Sequence, residues 1–291
     1  MRLPTLLALL AAAAFALGVS PAVRAAPVEI PEAGGTVLQA RLFLPPPGVP
    51  AAPAIVALHG CGGAYPTRDR EWIEVLTKAG HAMLFPDSFG SHGLGPQCRV
   101  SHRIAGYMAM RRADALGAAA WLERQAGIPP GGIILMGWSN GASTVLRASR
   151  PAHDLPAGLF RGFVAFYPAC RFASPGRDWH PVAPMLILIG AKDDWTPAPP
   201  CHELTLHAPA DVTLLTYPGA YHDFDVPVPV RILRHVSFAQ NPDGSVHVGG
   251  NPPARADAMI RVPAFMAHLA ASAPGGGGRI LSRRNRSSRR R

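Results

Sequence analysis

The chain has 291 residues, 48% of them hydrophobic, which is enough to bury the core of one large domain. Its net charge of +10 lies mostly at the two ends: residues 279–291 carry seven Arg, and Arg2 and Arg24 add two more, which leaves +1 for the rest. A folded part so close to neutral argues against a nucleic-acid-binding domain, and no apolar run beyond the N-terminus is long enough to span a bilayer.

The N-terminus has the pattern of a secretory signal peptide. A positive start precedes an apolar run of mainly Leu and Ala over residues 6–19, and small residues around Ala25 suit a signal peptidase. A membrane anchor is the alternative, but the run is short and Pro21 lies just after it, where a spanning helix would have to continue. We therefore expect a signal peptide over residues 1–25, with cleavage after Ala25 or Ala26, and a periplasmic or secreted mature protein.

Seven short apolar runs predict the strands of a sheet. Several of them are continuous rather than alternating, which is typical of strands that are buried on both faces of a parallel sheet. They cover residues 37–44, 54–58, 81–85, 133–136, 162–167, 185–189 and 212–217.

Helices are predicted between these strands, at residues 68–79, 101–125, 139–149, 200–207 and 254–271. In the second helix, one apolar face is formed at helical spacing by Ile104, Met108, Ala115, Ala119 and Leu122. The alternation indicates the α/β class, with a mostly parallel central sheet covered by helices on both faces. Ligands of such sheets bind beyond the carboxyl ends of the strands. Residues 224–253 show little periodicity and predict a long surface connection that borders the pocket.

The segment Gly137-Trp138-Ser139-Asn140-Gly141 carries the strongest chemical signal. It follows a predicted strand and opens a predicted helix, which is the context of the G-x-S-x-G nucleophile elbow. The tight turn needs small flanking residues and lifts the serine above the sheet edge, beside a helix N-terminus that favours negative charge. Ser139 is therefore the predicted nucleophile. A glycine-rich structural turn is the alternative interpretation.

A second glycine-rich segment, Leu58-His59-Gly60-Cys61-Gly62-Gly63, follows the strand at 54–58. It is similar to the HGGG-type loop of esterases, which presents a backbone N–H group to an oxyanion. We expect the oxyanion hole to consist of the N–H groups of Cys61 and Asn140. An ordinary strand-to-helix turn rich in glycine would have the same composition.

Asp193 and His222 are the predicted partners of the serine. Each follows one of the last two predicted strands, and the chain order Ser, Asp, His is the order that α/β-hydrolases use. Asp194 competes with Asp193 for the role of orienting acid, and we expect Asp194 to cap the next helix instead. If both acids were caps, the triad would be incomplete.

These segments together resemble the dienelactone hydrolase family. The resemblance rests on the elbow, on Gly190-Ala191-Lys192-Asp193 with Pro197 after it, and on Tyr217-Pro218-Gly219-Ala220-Tyr221-His222-Asp223-Phe224. It covers roughly residues 37–269 and implies an α/β-hydrolase fold, a triad of Ser139, Asp193 and His222, and an oxyanion hole at Cys61 and Asn140. The members that cleave dienelactone use a cysteine nucleophile, so Ser139 argues against dienelactone itself as the substrate.

The chain has four cysteines, and their spacing does not match that of a zinc site. In an exported protein they allow three disulfide pairings, and four buried free thiols are the alternative. Export is a second departure from the family pattern. Because Cys61 and Cys98 would both lie in loops at the catalytic edge, as would Cys170 and Cys201, these are the expected pairs.

Aromatic residues beside the motifs are candidates for an apolar substrate site or for core packing. They are Trp138, Phe89, Trp195 and Tyr221. The expected substrate is a small carboxylic ester or lactone, hydrolysed through an acyl-enzyme, and neither a metal ion nor an organic cofactor is implied.

Other functions remain open at this stage. The same triad would serve an amidase or an acyltransferase, and a hydrolase fold can also carry a non-catalytic binding protein.

The expected domain spans residues 27–272. Residues 273–291 form a glycine-rich linker and a disordered basic tail that could contact anionic surfaces, whereas the folded domain is not expected to bind nucleic acid.

Overall fold

A computed structural model describes residues 25–32, 35–125, 127–128, 132–172, 179–206, 208 and 211–271. The expected signal peptide, apart from Ala25, and the expected basic tail lie outside the described residues. Within the described part, no helix combines the length and the apolar character that a membrane crossing requires.

Eight strands form one central sheet in the order β1-β2-β4-β3-β5-β6-β7-β8. The pairs β1/β2 and β2/β4 are antiparallel, and the other pairs are parallel. Every residue of β4, β5 and β7 is buried, so both faces of the sheet are covered. The predicted α/β class and mostly parallel sheet are therefore confirmed. The strands are β1 (Ala25–Pro31), β2 (Val37–Phe43), β3 (Ala52–Leu58), β4 (His81–Pro86), β5 (Ile133–Trp138), β6 (Phe160–Phe166), β7 (Met185–Gly190) and β8 (Val212–Tyr217).

Strand β1 was not among the predicted elements. It begins at Ala25, where the sequence indicated a cleavage site, and it forms the edge of the sheet against β2. Only Ile30 is buried in it, and Val28 is partly buried. An edge strand with so few apolar residues gives little signal in the sequence.

In the described part of the chain five helices pack on the sheet: α2 packs with α3, α1 packs with α5, and α4 lies beside β8. The helices are α1 (Pro66–Lys78), α2 (Tyr107–Glu123), α3 (Asn140–Ala148), α4 (Pro199–Thr205) and α5 (Pro252–Ala271).

The predicted start of α2 is wrong. Gly106, in the left-handed conformation with φ of 75°, precedes its first turn, and Ile104 lies outside the helix and is 53% exposed. Ala115, Ala119 and Leu122 of the predicted face are buried.

The segment 224–253 contains a small hairpin of β9 (Arg231–Leu233) and β10 (Val246–Val248). It is therefore more ordered than the predicted connection. The hairpin belongs to a second, smaller apolar cluster whose buried members are Cys61, Trp195, Val236, Val246 and Val248. Strands of three residues are too short to produce a periodic pattern. This cluster covers one side of the loop that contains Cys61.

The structure contains two disulfides, and they are the expected pairs. Cys61, just after β3, is joined to Cys98, and Cys170, in a short turn after β6, is joined to Cys201 in α4. Each bond therefore ties together two segments near the carboxyl ends of the strands.

Candidate active site

Ser139 lies on a strained turn between β5 and α3. Its φ of 52° and ψ of −114° fall outside the common regions for a residue with a side chain. A Cβ atom on Gly137 would lie 2.7 Å from the carbonyl carbon of Gly141, and one on Gly141 would lie 2.2 Å from the carbonyl oxygen of Leu58. Both glycines are therefore required for the turn to close, and the closed turn lifts the Ser139 hydroxyl above the sheet.

The three residues of the predicted triad lie in one hydrogen-bonded line. The Oγ atom of Ser139 is 2.9 Å from Nε2 of His222, and Nδ1 of His222 is 2.8 Å from Oδ2 of Asp193. An ionised carboxylate only accepts, so Nδ1 carries the proton and Nε2 accepts the serine hydroxyl. Gly190 allows this approach, because a Cβ there would lie 2.3 Å from the carbonyl oxygen of Ala220 in the histidine loop.

Asp193 is fixed by three further donors. Its Oδ1 accepts the backbone N–H groups of Trp195 and Thr196 at 3.0 and 2.8 Å, and its Oδ2 accepts the Thr196 hydroxyl at 2.9 Å. Asp194 points elsewhere and accepts the backbone N–H and the ring Nδ1 of His247 in β10, at 2.9 and 2.8 Å. The expectation that Asp194 caps α4 is wrong, since that helix begins without a side-chain cap. The side chains of Asp193 and Asp194 therefore point in opposite directions, and the carboxylate of Asp194 binds the hairpin of β9 and β10.

His222 is only 1% exposed and lies between the rings of Tyr167 and Trp195, at centroid distances of 4.6 and 4.9 Å. Burial lowers the pKa of His222, whereas the charge and hydrogen bond of Asp193 and the charges of Asp223 and Asp225 raise it, and the net pKa lies above the usual 6.5. The imidazolium that forms when His222 accepts a proton is thereby stabilised.

The two residues whose backbone N–H groups are expected to form the oxyanion hole line the same cavity as Ser139. Cys61 lies in the turn closed by the Gly63 N–H and the Gly60 carbonyl, and Asn140 is the first residue of α3. Neither the Cys61 N–H nor the Asn140 N–H donates to another residue in the described part of the chain. A helix N-terminus leaves such groups free for a negatively charged ligand.

Arg111 of α2 joins the two sides of this hole and was missed in the sequence. It is fully buried, and its guanidinium donates to Oδ1 of Asn140 at 2.5 Å and to the carbonyl of His59 at 2.9 Å. The Tyr107 hydroxyl donates to the same Asn140 oxygen at 3.1 Å. Burial and the Arg111 charge lower the pKa of His59 to about 3, so this histidine is neutral at physiological pH. An arginine in an amphipathic helix is normally expected at the surface, so no sequence signal marked it.

A buried carboxylate, that of Asp225, binds side chains that pack around the candidate site. Asp225 accepts the indole N–H groups of Trp72 and Trp138 at 2.8 and 2.9 Å and the hydroxyl of Tyr167 at 2.7 Å. The guanidinium of Arg68 lies 4.1 Å from the centroid of the Trp138 ring. Burial raises the pKa of Asp225 although the Arg68 charge and the hydrogen bonds from Tyr167 and Trp72 oppose the shift. Asp225 thus ties the residue before Ser139 to the ring that packs on His222.

A cavity of about 270 Å³ opens beside Ser139. Part of its wall is apolar and consists of Met108, Ala169, Phe172, Trp195 and Phe238, and three basic residues also line it, namely Arg103, Arg147 and Arg171. Trp195 is the one member of the four aromatic candidates that lines this cavity.

The other three aromatic candidates do not line this cavity, and each has a partner elsewhere. Trp138 is fully buried with its indole bonded to Asp225. Phe89 packs edge-on against His59 at 4.5 Å, and Tyr221 stacks on His247 at 4.8 Å. Position next to a motif did not predict side-chain direction.

The sequence profile of the dienelactone hydrolase family matches residues 38–269. The chain belongs to this family. Membership makes it a hydrolase of the α/β-hydrolase fold. No functionally curated protein matches the chain at the level of sequence.

Solved structures place this dienelactone hydrolase family member in the same fold. It is similar to the dienelactone hydrolase of Anabaena variabilis, with 18% identity, a TM-score of 0.61 and coverage of 85% of this chain and 98% of that one. An esterase of Pyrobaculum calidifontis matches with 19% identity, a TM-score of 0.60 and coverage of 87% and 88%. Esterase 2 of Thermogutta terrifontis, phosphoramylated by tabun, matches with 17% identity, a TM-score of 0.60 and coverage of 87% and 98%.

Proposed function

We propose that the protein is a serine hydrolase that cleaves a carboxylic ester or lactone, with Ser139 as nucleophile, His222 as general base and Asp193 as the orienting acid. The observation that carries this proposal is the continuous hydrogen-bonded line from Ser139 Oγ through His222 to Asp193, which ends at the cavity wall. Nucleophile, base and orienting acid within hydrogen-bond reach are the arrangement that acyl transfer needs.

The first half-reaction acylates the enzyme. His222 Nε2 takes the proton of Ser139 as Oγ attacks the acyl carbon, and the N–H groups of Cys61 and Asn140 hold the oxyanion. The carbon–oxygen bond to the leaving group then breaks. His222 returns the proton to the leaving alkoxide, which departs as an alcohol when the substrate is an ester and stays attached to the acyl group as a hydroxyl when the substrate is a lactone. In the second half-reaction His222 activates water, which releases the acid and restores Ser139.

The cavity wall favours a small substrate with an apolar body and a negative group. Three arginines, Arg103, Arg147 and Arg171, line a cavity whose remaining wall is largely apolar, and guanidinium groups bind carboxylates well. A p-nitrophenyl ester whose acyl chain ends in a carboxylate should therefore show a lower KM than a neutral ester of the same chain length. High salt should reduce the difference, because it screens exposed charges.

We also propose that residues 1–25 are an export signal. The two disulfides support this proposal, since such bonds persist in oxidising compartments. N-terminal sequencing of the protein from the culture medium or the periplasm should give Ala26 or Pro27 as the first residue. Recovery of the full-length chain in the cytoplasm alone would contradict the proposal.

The deciding experiment combines hydrolysis of a short-chain p-nitrophenyl ester with labelling by a fluorophosphonate. Both should be lost in Ser139→Ala. Ser143→Ala is the matched control, because Ser143 is a second hydroxyl at the cavity, and it should keep the label. Label without turnover would leave Ser139 as the nucleophile and direct the search to amides and acceptor alcohols. Absence of both in a folded wild-type protein would refute the catalytic function and favour a binding protein.

A further inference from the structure

A second cluster of ionisable side chains lies outside the cavity. Glu32 follows β1, His92 ends the short turn Gly90–His92, and Asp114 lies in α2. One possible ligand atom from each residue lies within 4.8 Å of the other two. His92 Nε2 is 2.9 Å from Oδ1 of Asp114 and 4.0 Å from Oε2 of Glu32. The three side chains come from three separate elements and converge on one point.

Burying these three ionisable side chains together costs free energy unless a ligand balances their charge. The Asp114 side chain is 1% exposed, and those of Glu32 and His92 are 12% and 19% exposed. Oδ2 of Asp114 is buried and has no hydrogen-bond partner among the described residues. A buried carboxylate oxygen without a donor, beside a second carboxylate, calls for a cation or a shared proton.

The helix also leaves room for this approach. A Cβ atom on Gly117, one turn after Asp114, would lie 3.3 Å from Oε1 of Glu32. The absence of a side chain there lets the Glu32 carboxylate come close to α2.

We propose that Glu32, His92 and Asp114 bind a divalent transition-metal ion of the Zn²⁺ type. A ligand set of one imidazole and two carboxylates suits Zn²⁺, whereas Ca²⁺ and Mg²⁺ prefer oxygen ligands throughout. Ligand atoms around a tetrahedral Zn²⁺ are roughly 3.3 Å apart, so the Glu32 and His92 atoms need to close by less than about 1 Å. Water fills the fourth position.

The ion would act as a structural cross-link. It joins the end of the edge strand β1 to α2 and to the turn at 90–92, and it uses none of the residues that line the cavity. Binding to the folded state alone stabilises that state by mass action. Metal binding should therefore raise the melting temperature and leave turnover of the ester unchanged.

The test uses the untagged mature protein, depleted of metal by a chelator. Calorimetric titration with Zn²⁺ should detect one site that is missing in Asp114→Asn, or a Kd higher by at least about 100-fold in that variant. Zn²⁺ should raise the melting temperature of the wild type but not of Asp114→Asn or His92→Ala. Asp154→Asn, which changes an exposed carboxylate paired with Arg112, is the control and should bind Zn²⁺ like the wild type.

Equal Zn²⁺ binding and equal thermal shifts in the wild type and Asp114→Asn would overturn the proposal. A shared proton is the other physical solution. If Zn²⁺ has no effect, and the metal-free wild type gains stability relative to Asp114→Asn as the pH falls, the pair holds a proton and the metal site is refuted.

Discussion

The pKa of His222 results from a balance between burial and nearby carboxylates. Its ring has almost no contact with solvent, and burial alone would keep it neutral and weakly basic. The charge and hydrogen bond of Asp193, which lies 2.8 Å away, oppose that effect together with the charges of Asp223 and Asp225, and the pKa is raised. His222 therefore binds a proton more readily than an exposed histidine, which suits its proposed role as the base that deprotonates Ser139.

The pH profile of kcat/KM should reveal this arrangement. His222 must be neutral to act as a base, so activity should rise with pH through a pKa above about 6.5. In Asp193→Asn the raising charge is lost, so this limb should move to lower pH, and kcat should fall by on the order of 10⁴ because the tautomer is no longer fixed. An unchanged limb in a folded Asp193→Asn protein would contradict the assignment.

Arg111→Met should lower kcat by about 10- to 100-fold with little change in KM. Arg111 holds the Asn140 side chain and the His59 carbonyl, so its loss loosens both N–H donors, which matter most in the transition state. Arg112→Met is the matched control, because Arg112 is the next residue in α2 and its guanidinium pairs with Asp154 at the surface. Equal kcat values for the two variants would show that Arg111 does not position the hole.

Among the residues of the candidate site, those that belong to a recognisable sequence motif could be predicted from the sequence. The positions of Ser139, Asp193 and His222 at strand ends predicted that they would meet, and their side chains do lie together. Arg111 and Asp225 could not be predicted, because their partners are far away in the sequence and no spacing rule links them.

The elements that the sequence predicts best are the central strands. A short, continuous apolar run is typical of a strand covered on both faces, and the seven predicted strands all lie in the sheet. Strand β1 and the hairpin of β9 and β10 gave no comparable signal, because each contributes only a few apolar side chains to a surface created by other elements. Such elements are specified by tertiary contacts rather than by local pattern.

The two disulfides offer a matched comparison between neighbouring elements. They close loops of similar sequence separation, 37 and 31 residues, so removal of either should cost a similar 3 to 4 kcal/mol, roughly, in the free energy of unfolding. Only the first includes a proposed oxyanion-hole residue, Cys61. The double variant Cys61→Ser with Cys98→Ser should therefore lose much more kcat, under conditions where both variants are folded, than Cys170→Ser with Cys201→Ser. Equal losses of kcat would contradict a role for the Cys61 loop in the oxyanion hole.

Asp225 connects α1, β5 and the loops after β6 and β8 through its three donors. Asp225→Ala should lower the free energy of unfolding by about 3 kcal/mol or more, because three buried donors lose their acceptor. Asp225→Asn keeps one acceptor oxygen and should lose less. Urea unfolding measures both values, and a loss for Asp225→Ala as small as that for an exposed carboxylate such as Glu74→Gln would refute this function of Asp225.

At the scale of the whole molecule, most of the net charge lies at the C-terminal end of the chain. Residues 279–291 carry seven arginines, whereas residues 25–278 are near neutral. Deletion of residues 279–291 should leave kcat/KM unchanged and should abolish salt-sensitive binding to anionic lipid vesicles. Sedimentation with vesicles at low and high salt measures this, and equal binding by both proteins would place the contact in the domain.

The bond between Cys61 and Cys98 also has a consequence for the timing of activity during biogenesis. In a reducing cytoplasm a newly made chain carries both residues as thiols, and the loop with the N–H group proposed for the oxyanion hole is then held only by weaker contacts. If the chain is exported as proposed, full catalytic power arises only after oxidation outside the cytoplasm. The cell's own esters and lactones would then be spared while the enzyme is in transit, without any inhibitor or pro-segment.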